Sequence, residues 1–271
     1  MPLSNYQISY RGVVLGDGTN YDLITLEGLH DIKIRDTDRD NPRSHGLVPG
    51  RHSADWGLIR CNLEVRGTAG SFAHEDDVIA LMDALSPDRF EGPDETQDQL
   101  TFQFPGEDEK FLFARPIRRS RIRRSDSEFG LAGVRFELKQ YDPRTYSTTE
   151  DNSGVQTGGS FVVVNNGGAR AYPILEFKVD TLGGMTLNNT TNGDQFSVDG
   201  FPANEAGITA DMGRWIRGRG DLLIVFKGST NHYPKWQIPR DPFTLEPGVN
   251  NLTLVVSSNS EMTVKSRDTW M

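Results

Sequence analysis

The chain has 271 residues, of which 25% are charged and 35% hydrophobic, and its formal net charge at pH 7 is −9. This length is sufficient for two domains, and the acidic balance disfavours general binding to nucleic acid or to an anionic membrane surface. The single cysteine excludes a disulfide within one chain and a zinc site made of cysteines.

The sequence shows no targeting signal. Its N-terminus lacks a basic segment followed by an apolar run, so we expect no signal peptide. No apolar stretch approaches the ~20 residues that a membrane-spanning helix needs. We therefore expect a protein that is made in a reducing cytoplasm and does not contact a membrane.

Short strands are predicted for the N-terminal half. Residues 6–14 are predicted to form the first strand, followed by an Asp-Gly turn signal, and residues 21–26 to form the second. Residues 58–66 give a clearer strand, because four apolar residues alternate with polar ones and share one face. These four are Ile59, Cys61, Leu63 and Val65. We expect Cys61 to be a small buried core residue and not a reactive thiol.

One helix is predicted shortly after that strand. Four apolar residues occur at i, i+3, i+4 and i+7 and form one stripe; they are Val78, Leu81, Met82 and Leu85. Acidic residues precede the stripe, where they suit the helix dipole. Pro87 follows it and marks the end of the helix.

The rest of the chain is predicted to be strands and turns. Segment 140–159 is rich in Ser, Thr, Asp, Asn and Gly and has no apolar periodicity, so it is predicted to link two domains. Many short strands at close spacing after it indicate a β-sandwich or jelly roll. Those strands are predicted at 161–164, 174–179, 185–189, 195–198, 221–227 and 252–256.

Catalytic and metal-binding patterns are weak. Asp36, Asp38 and Asp40 imitate the start of a calcium loop, but the twelfth position is Leu47 where that loop needs a bidentate Glu. The five histidines lack the i, i+4 helical spacing of a zinc protease. We therefore expect no catalytic residues, no metal and no cofactor, although a carboxylate pair from distant strands stays open.

One dense run of positive charge interrupts the acidic background. It consists of Arg115, Arg118, Arg119, Arg121, Arg123 and Arg124. The run is compatible with a solvated strand edge or loop, with a contact between subunits through carboxylates, or with binding of DNA or another polyanion. Because no aromatic residue lies between the arginines, a base-stacking platform is unsupported.

Four tryptophans leave a second alternative open. Trp56, Trp215, Trp236 and Trp270 could stack on sugar rings. Aromatic side chains more often anchor cores or interfaces, so we expect most of them to be structural.

Several short motifs, in a fixed order, resemble the distal tail proteins (Dit) of siphophages, including those described as minor tail proteins in phages of actinobacteria. The motifs occupy 10–18 (YRGVVLGDG), 163–175 (VVNNGGARAYPIL), 188–193 (NNTTNG), 245–254 (LEPGVNNLTL) and 267–270 (RDTW). Each motif alone is only moderately specific, but together they span nearly the whole chain. Segment 214–220 (RWIRGRG) departs from the pattern.

The resemblance implies a mainly β protein. Residues 1–145 would form a ring-building domain, a β-sandwich or split barrel with one helix. Residues 146–160 would be a linker, and residues 161–271 a galectin-like β-sandwich (jelly roll).

The resemblance also implies a structural role in the virion, at the tip of a long non-contractile tail that is assembled in the host cytoplasm. Six copies would form a ring that joins the tail tube to the baseplate hub, around a channel for the tape measure protein and the genome. Its partners would be itself, the tail tube protein, the baseplate hub or tail-associated protein and the tape measure protein, without sequence-specific nucleic acid binding and without enzymatic activity. A carbohydrate-binding module that recognises the host receptor is the alternative.

Overall fold

The computed structural model divides into two compact units, Met1–Thr145 and Tyr146–Met271. It describes residues 3, 6–16, 18, 20–29, 31–35, 39–40, 47–48, 53–66, 72–86, 99–119, 131–179, 183–201, 205–213, 225–227, 230–231, 236–237, 242–256 and 260–271. The domain limits inferred from the sequence stay a prediction.

The first unit contains ten strands and one helix among its described residues. The strands are β1 (Ile8–Tyr10), β2 (Val13–Leu15), β3 (Tyr21–Glu27), β4 (Ile32–Arg35), β5 (Arg39–Asp40), β6 (Leu47–Val48), β7 (Ser53–Arg66), β8 (Gln99–Phe102), β9 (Lys110–Arg119) and β10 (Leu131–Gln140). The helix is α1 (Phe72–Ala84).

Seven of these strands form one antiparallel sheet in the order β2-β1-β8-β9-β10-β7-β3, and β4 also pairs with β7. The two ends of this order approach each other, because the Gly16 amide donates to the Tyr21 carbonyl at 2.8 Å. The buried side chains of these strands form one core cluster.

The helix covers that core with its predicted apolar stripe. Leu81 and Leu85 are buried in the cluster, and Val78 and Met82 pack against it at partial burial. The predicted helix is thus confirmed, and the structure begins it at Phe72. Among the residues that the structure describes, no helix is long and apolar enough to cross a membrane.

The first predicted strand, 6–14, was wrong as a single element. The structure divides it into β1 and β2, which pair antiparallel around Arg11 and Gly12. Both turn residues have positive φ, 49° at Arg11 and 84° at Gly12, as a two-residue hairpin with the twist of its strands requires. Gly12 tolerates this backbone without strain, and the alternating pattern through 6–14 hid the turn.

Strand β7 confirms the predicted alternation. Ile59, Cys61, Leu63 and Val65 are all buried, and the residues between them face outward. Burial raises the pKa of the Cys61 thiol to about 12, because an apolar surrounding disfavours the thiolate. Cys61 is therefore a core residue, as expected from its place on the strand.

The second unit contains thirteen strands among its described residues. They are β11 (Thr145–Ser147), β12 (Asp151–Asn152), β13 (Gly159–Asn165), β14 (Ile174–Val179), β15 (Gly183–Asn189), β16 (Gln195–Phe201), β17 (Glu205–Asp211), β18 (Val225–Lys227), β19 (Thr230–Asn231), β20 (Trp236–Gln237), β21 (Gly248–Val256), β22 (Glu261–Ser266) and β23 (Thr269–Trp270).

Two antiparallel sheets make up most of this unit. One has the order β12-β22-β14-β17-β18-β19, and the other has the order β13-β21-β15-β16-β20. The apolar residues of both sheets meet in one core cluster, in which Phe177 of the first contacts Phe196 and Phe201 of the second. The unit is thus a β-sandwich, and the mainly β fold class is confirmed.

Residues 146–160, predicted as a linker, take part in this sandwich. Strand β12 pairs with β22, and the amide of Gln156 donates to the carbonyl of Met262 at 2.8 Å. The pairing satisfies the backbone of a polar segment whose sequence has no apolar period.

Buried asparagine side chains form hydrogen bonds with the backbone of the loops at one end of the sandwich. Asn250 accepts a hydrogen bond from the Glu246 amide at 2.9 Å and donates to the Glu246 carbonyl at 2.8 Å. It also accepts from the Asn189 side chain at 3.0 Å. Asn165 donates to the Ala169 carbonyl at 2.8 Å and accepts from the Gly167 amide at 3.1 Å. These side chains replace backbone partners that a turn cannot supply.

Gly167 shows how tightly one of these loops is packed. A Cβ atom at this position would clash with the backbone of Thr269, so only glycine fits. The neighbouring Asn166 amide donates to the Asp268 carboxylate at 2.6 Å. The motif at 163–175 and the motif at 267–270 therefore contact each other.

Thiol reactivity tests the burial of Cys61. In the folded protein at pH 8, we expect a thiol reagent to modify Cys61 at least about a hundredfold more slowly than in denaturant, since only the rare unfolded state exposes it. The unfolded thiol ionises near pH 8.5 and the folded one only near 12, so folding stability should fall as pH rises above about 9. Equal modification rates in both states would contradict this burial.

Asn250→Ala tests the asparagine network. We expect it to lower the free energy of unfolding by about 2–4 kcal/mol, because it leaves buried backbone groups without partners. The adjacent Asn251 is exposed, so Asn251→Ala should change the stability by less than about 0.5 kcal/mol. Urea unfolding measures both. Equal midpoints for the two variants would refute the role of the network.

Candidate functional site

The arginine run divides between described and undescribed residues. Strand β9 contains Arg115, Arg118 and Arg119. The other three predicted residues, Arg121, Arg123 and Arg124, lie outside the described residues. The candidate site therefore consists of the C-terminal part of β9 and the neighbouring strand β10.

A β-bulge decides where these arginines point. Pro116 pairs with Leu138 and Arg118 with Glu137, so Ile117 is an extra residue without a partner position on β10. A bulge shifts the alternation of side chains by one residue. As a result, Arg118 shares the outer face of the sheet with Glu137, and Ile117 is 54% exposed.

Arg115 interacts within the first unit. Its guanidinium carbon lies 5.1 Å from the ring centroid of Tyr141, within the range of a cation–π contact. The residue is half-buried. Lys139, opposite it on β10, lies in the same way 4.8 Å from the ring centroid of Trp56. These cations are thus held by aromatic side chains.

Arg119 caps the C-terminus of the helix. It donates to the Met82 carbonyl at 2.7 Å, and Arg11 donates to the carbonyls of Ala84 and Ser86 at 3.1 Å each. The last turn of α1 has no basic residue of its own. The two arginines therefore supply the positive charge and the donors that a helix C-terminus lacks.

Arg118 is exposed, and its side chain makes no hydrogen bond or ion pair in the part of the chain that the structure describes. It is the first residue of a row of alternating charges across four strands. In the strand register, Arg118 lies opposite Glu137, Glu137 lies opposite Arg60, and Arg60 lies opposite Glu27. The inner pair is in contact, with Arg60 Nε 3.4 Å from Glu137 Oε1. Arg118 is the outermost cation of this alternating row.

An open cleft of about 240 Å³ lies beside Arg118, where the pairing of β9 with β10 ends. Its lining residues are Arg118, Arg119, Arg135, Phe136 and Glu137. Arg135 donates from Nε to Asn62 Oδ1 at 2.6 Å, which fixes its orientation. Such a site can bind a carboxylate or phosphate by charge-assisted hydrogen bonds.

Metal ligands do not converge in the described part of the chain. No group of three or more His, Cys, Asp or Glu side chains there is placed to hold an ion. Two residues of the calcium-like pattern, Asp36 and Asp38, lie outside the described residues.

The tryptophans are only partly described. Trp56 is half-buried, with Lys33 and Lys139 over its ring. Trp270 is half-buried in the second unit, whereas Trp215 and the side chain of Trp236 lie outside the described residues. Among the described residues of the second unit, no large aromatic side chain is exposed.

Sequence reasoning identified the arginines but not their separate roles. The arginines are closely spaced in sequence, and the only local sign of the bulge at Ile117 is Pro116, since proline often accompanies irregular strand pairing. The cap from Arg119 to Met82 spans 37 residues, and no local pattern encodes such a contact.

Comparison with known proteins identifies the fold. No protein-family model matches the sequence, and no curated protein matches it. The chain is similar to the Dit protein of phage SPP1, described as a paradigm of the hub adsorption apparatus in phages that infect Gram-positive bacteria. The TM-score is 0.66 at 16% identity, over 99% of this chain and 100% of that chain.

Chains of the phage P2 baseplate in its activated conformation give similar matches. The structures with Ca and with Sr have TM-scores of 0.56 and 0.55, each at 11% identity over 96% of this chain and 97% of the other. The chain therefore has the fold of Dit over its whole length. The mainly β, Dit-like fold that the sequence motifs implied is confirmed.

Two adjacent alanine variants separate the roles of the arginines. Arg119→Ala should lower the free energy of unfolding by about 1 kcal/mol, because the helix loses a charged donor at its C-terminus. Arg118→Ala, which removes no intrachain bond, should change it by less than about 0.5 kcal/mol. Thermal unfolding measures both. A larger loss for Arg118→Ala would contradict these assignments.

Proposed function

We propose that this chain is a structural component of the tip of a long non-contractile phage tail. Six copies form a ring that joins the tail tube to the baseplate hub, with a channel for the tape measure protein and the genome. The observation that supports this most is the similarity to SPP1 Dit over the whole of both chains. The similarity to chains of the P2 baseplate supports the same location in the virion.

We assign a different role to each of the two units. Residues 1–145 build the ring wall, and residues 161–271 form a galectin-like sandwich. The partners are further copies of the chain, the tail tube protein, the baseplate hub or tail-associated protein and the tape measure protein, assembled in the host cytoplasm. Arg115 and Arg119 support the ring domain from within, and Arg118 is available for a contact between copies.

An uncharged surface in the second unit supports a role in assembly. The outward side chains of β13, β21 and β15 include no charged residue, and four of them are exposed valines: Val162, Val164, Val249 and Val255. Val162 and Val164 lie on β13, which is an edge strand of its sheet. Exposed apolar patches of this kind mark contact surfaces with other proteins.

The chain acts as a scaffold and not as an enzyme in this proposal. The Arg118 cleft offers cations and one carboxylate but no nucleophile with an adjacent base. The carbohydrate-binding alternative would be favoured by exposed Trp or Tyr side chains on one face of the second unit, and the described residues there expose none.

The assembly state of the purified chain tests the proposal. At high concentration, native mass spectrometry should detect a species near 181 kDa, which is six times 30.2 kDa. Negative-stain images should show six-fold rings with an open centre. A chain that stays at 30.2 kDa, alone and with tail tube and hub proteins added, would contradict the ring.

A further inference from the structure

We propose that Ile117 and Arg118 of one copy bind the exposed face of α1 on the next copy, where Glu75 and Asp76 meet Arg118. This inference rests on the proposed ring and names the surface that each copy uses. Its basis is that two separate patches of the first unit carry opposite charges and each expose one isoleucine.

The exposed face of α1 is acidic around an isoleucine. Glu75, Asp76, Ile79 and Asp83 are all exposed and fall on one side of the helix. Ile79 is 63% exposed, which is high for a large apolar side chain on a helix that buries its other face. The side chains of Glu75 and Asp76 make no hydrogen bond or ion pair in the part of the chain described by the structure.

The patch on β9 combines one exposed isoleucine with one positive charge. Ile117 is 54% exposed, and Arg118 follows it directly on the outer face. On α1, Glu75 and Ile79 are four residues apart, which places their Cβ atoms roughly 5–6 Å from each other. One isoleucine can therefore pack on the other while Arg118 reaches a carboxylate.

The row of charges beside Arg118 favours a protein partner over a polyanion. Glu137 is the strand neighbour of Arg118, and Arg60 and Glu27 continue the alternation. A phosphate backbone would meet these carboxylates as well as the arginines, and the like charges would repel. The α1 face brings Glu75 and Asp76 to Arg118 and an isoleucine to Ile117, so it presents fewer negative charges to this row than a phosphate backbone does and is repelled less.

The contact joins two different surfaces of the same chain. A copy uses its β9 patch on one neighbour and its α1 patch on the other, so the arrangement is head-to-tail. Head-to-tail contacts generate closed rings when the rotation closes. Two α1 patches repel each other, which disfavours a two-fold dimer through that surface.

Engineered cysteines test the contact directly. The one native cysteine, Cys61, is buried, so in a mixture of Ile79→Cys and Ile117→Cys chains only the engineered thiols react. Each variant oxidised alone measures the product that it forms with itself, and the 79–117 product is the excess over both. Mixed and mildly oxidised, these two variants should form a disulfide-linked dimer, since a disulfide requires Cα atoms within about 7 Å. Ile24→Cys is the matched control, because Ile24 is 60% exposed on β3. Mixed with Ile79→Cys, it should give roughly tenfold less product.

The outcome separates this inference from the proposed ring. A hexamer of the unmodified chain without the 79–117 cross-link would overturn the inference and leave the ring in place. A cross-link without a hexamer would support the contact and contradict the six-fold ring. Neither a cross-link nor a hexamer would contradict both.

Charge reversal gives a second test that does not depend on disulfide geometry. Arg118→Glu alone and the pair Glu75→Arg with Asp76→Arg alone should each weaken association roughly tenfold or more. A one-to-one mixture of the two proteins should restore it, because every contact again joins opposite charges. Failure of the mixture to associate would overturn the inference. So would an Arg118→Glu variant that associates normally and loses only its retention on a polyanionic resin.

Discussion

The register of β9 against β10 is the constraint on which the candidate site depends. With uninterrupted pairing, Arg118 would face the core side and Arg119 would face outward. The bulge at Ile117 reverses both. Arg119 then reaches the Met82 carbonyl of α1, and Arg118 joins an outer row with Glu137. The extra residue Ile117 therefore has two effects: it lets Arg119 cap α1, and it leaves Arg118 exposed.

The second unit depends on a different kind of constraint, the satisfaction of buried polar groups. Asn165, Asn189 and Asn250 are buried and bonded to the loops around them. These residues lie within the short motifs by which the sequence resembles distal tail proteins. The motifs therefore specify loop geometry at one end of the sandwich. The resemblance to distal tail proteins is thus evidence about the fold and not about a binding site.

The sequence predicted those elements whose signal is local. Cys61 and its neighbours alternate over one strand, and Leu81 and Leu85 follow a helical period, so the buried face of each element could be assigned from the order of residues alone. The hairpin at Arg11 could not be assigned, since its strands continue the same apolar pattern on both sides of the turn. Nor could the separate roles of Arg118 and Arg119 be assigned, because they depend on the pairing of distant strands and on a contact with α1.

A cryo-electron microscopy reconstruction of the assembled chain would show directly whether the chain forms the proposed ring. We expect a closed ring of six copies in which Arg118 of each copy lies within hydrogen-bonding distance of Glu75 or Asp76 of its neighbour. A ring in which Arg118 faces only solvent or the channel would contradict the proposed contact. An assembly without a closed ring would contradict the structural role itself.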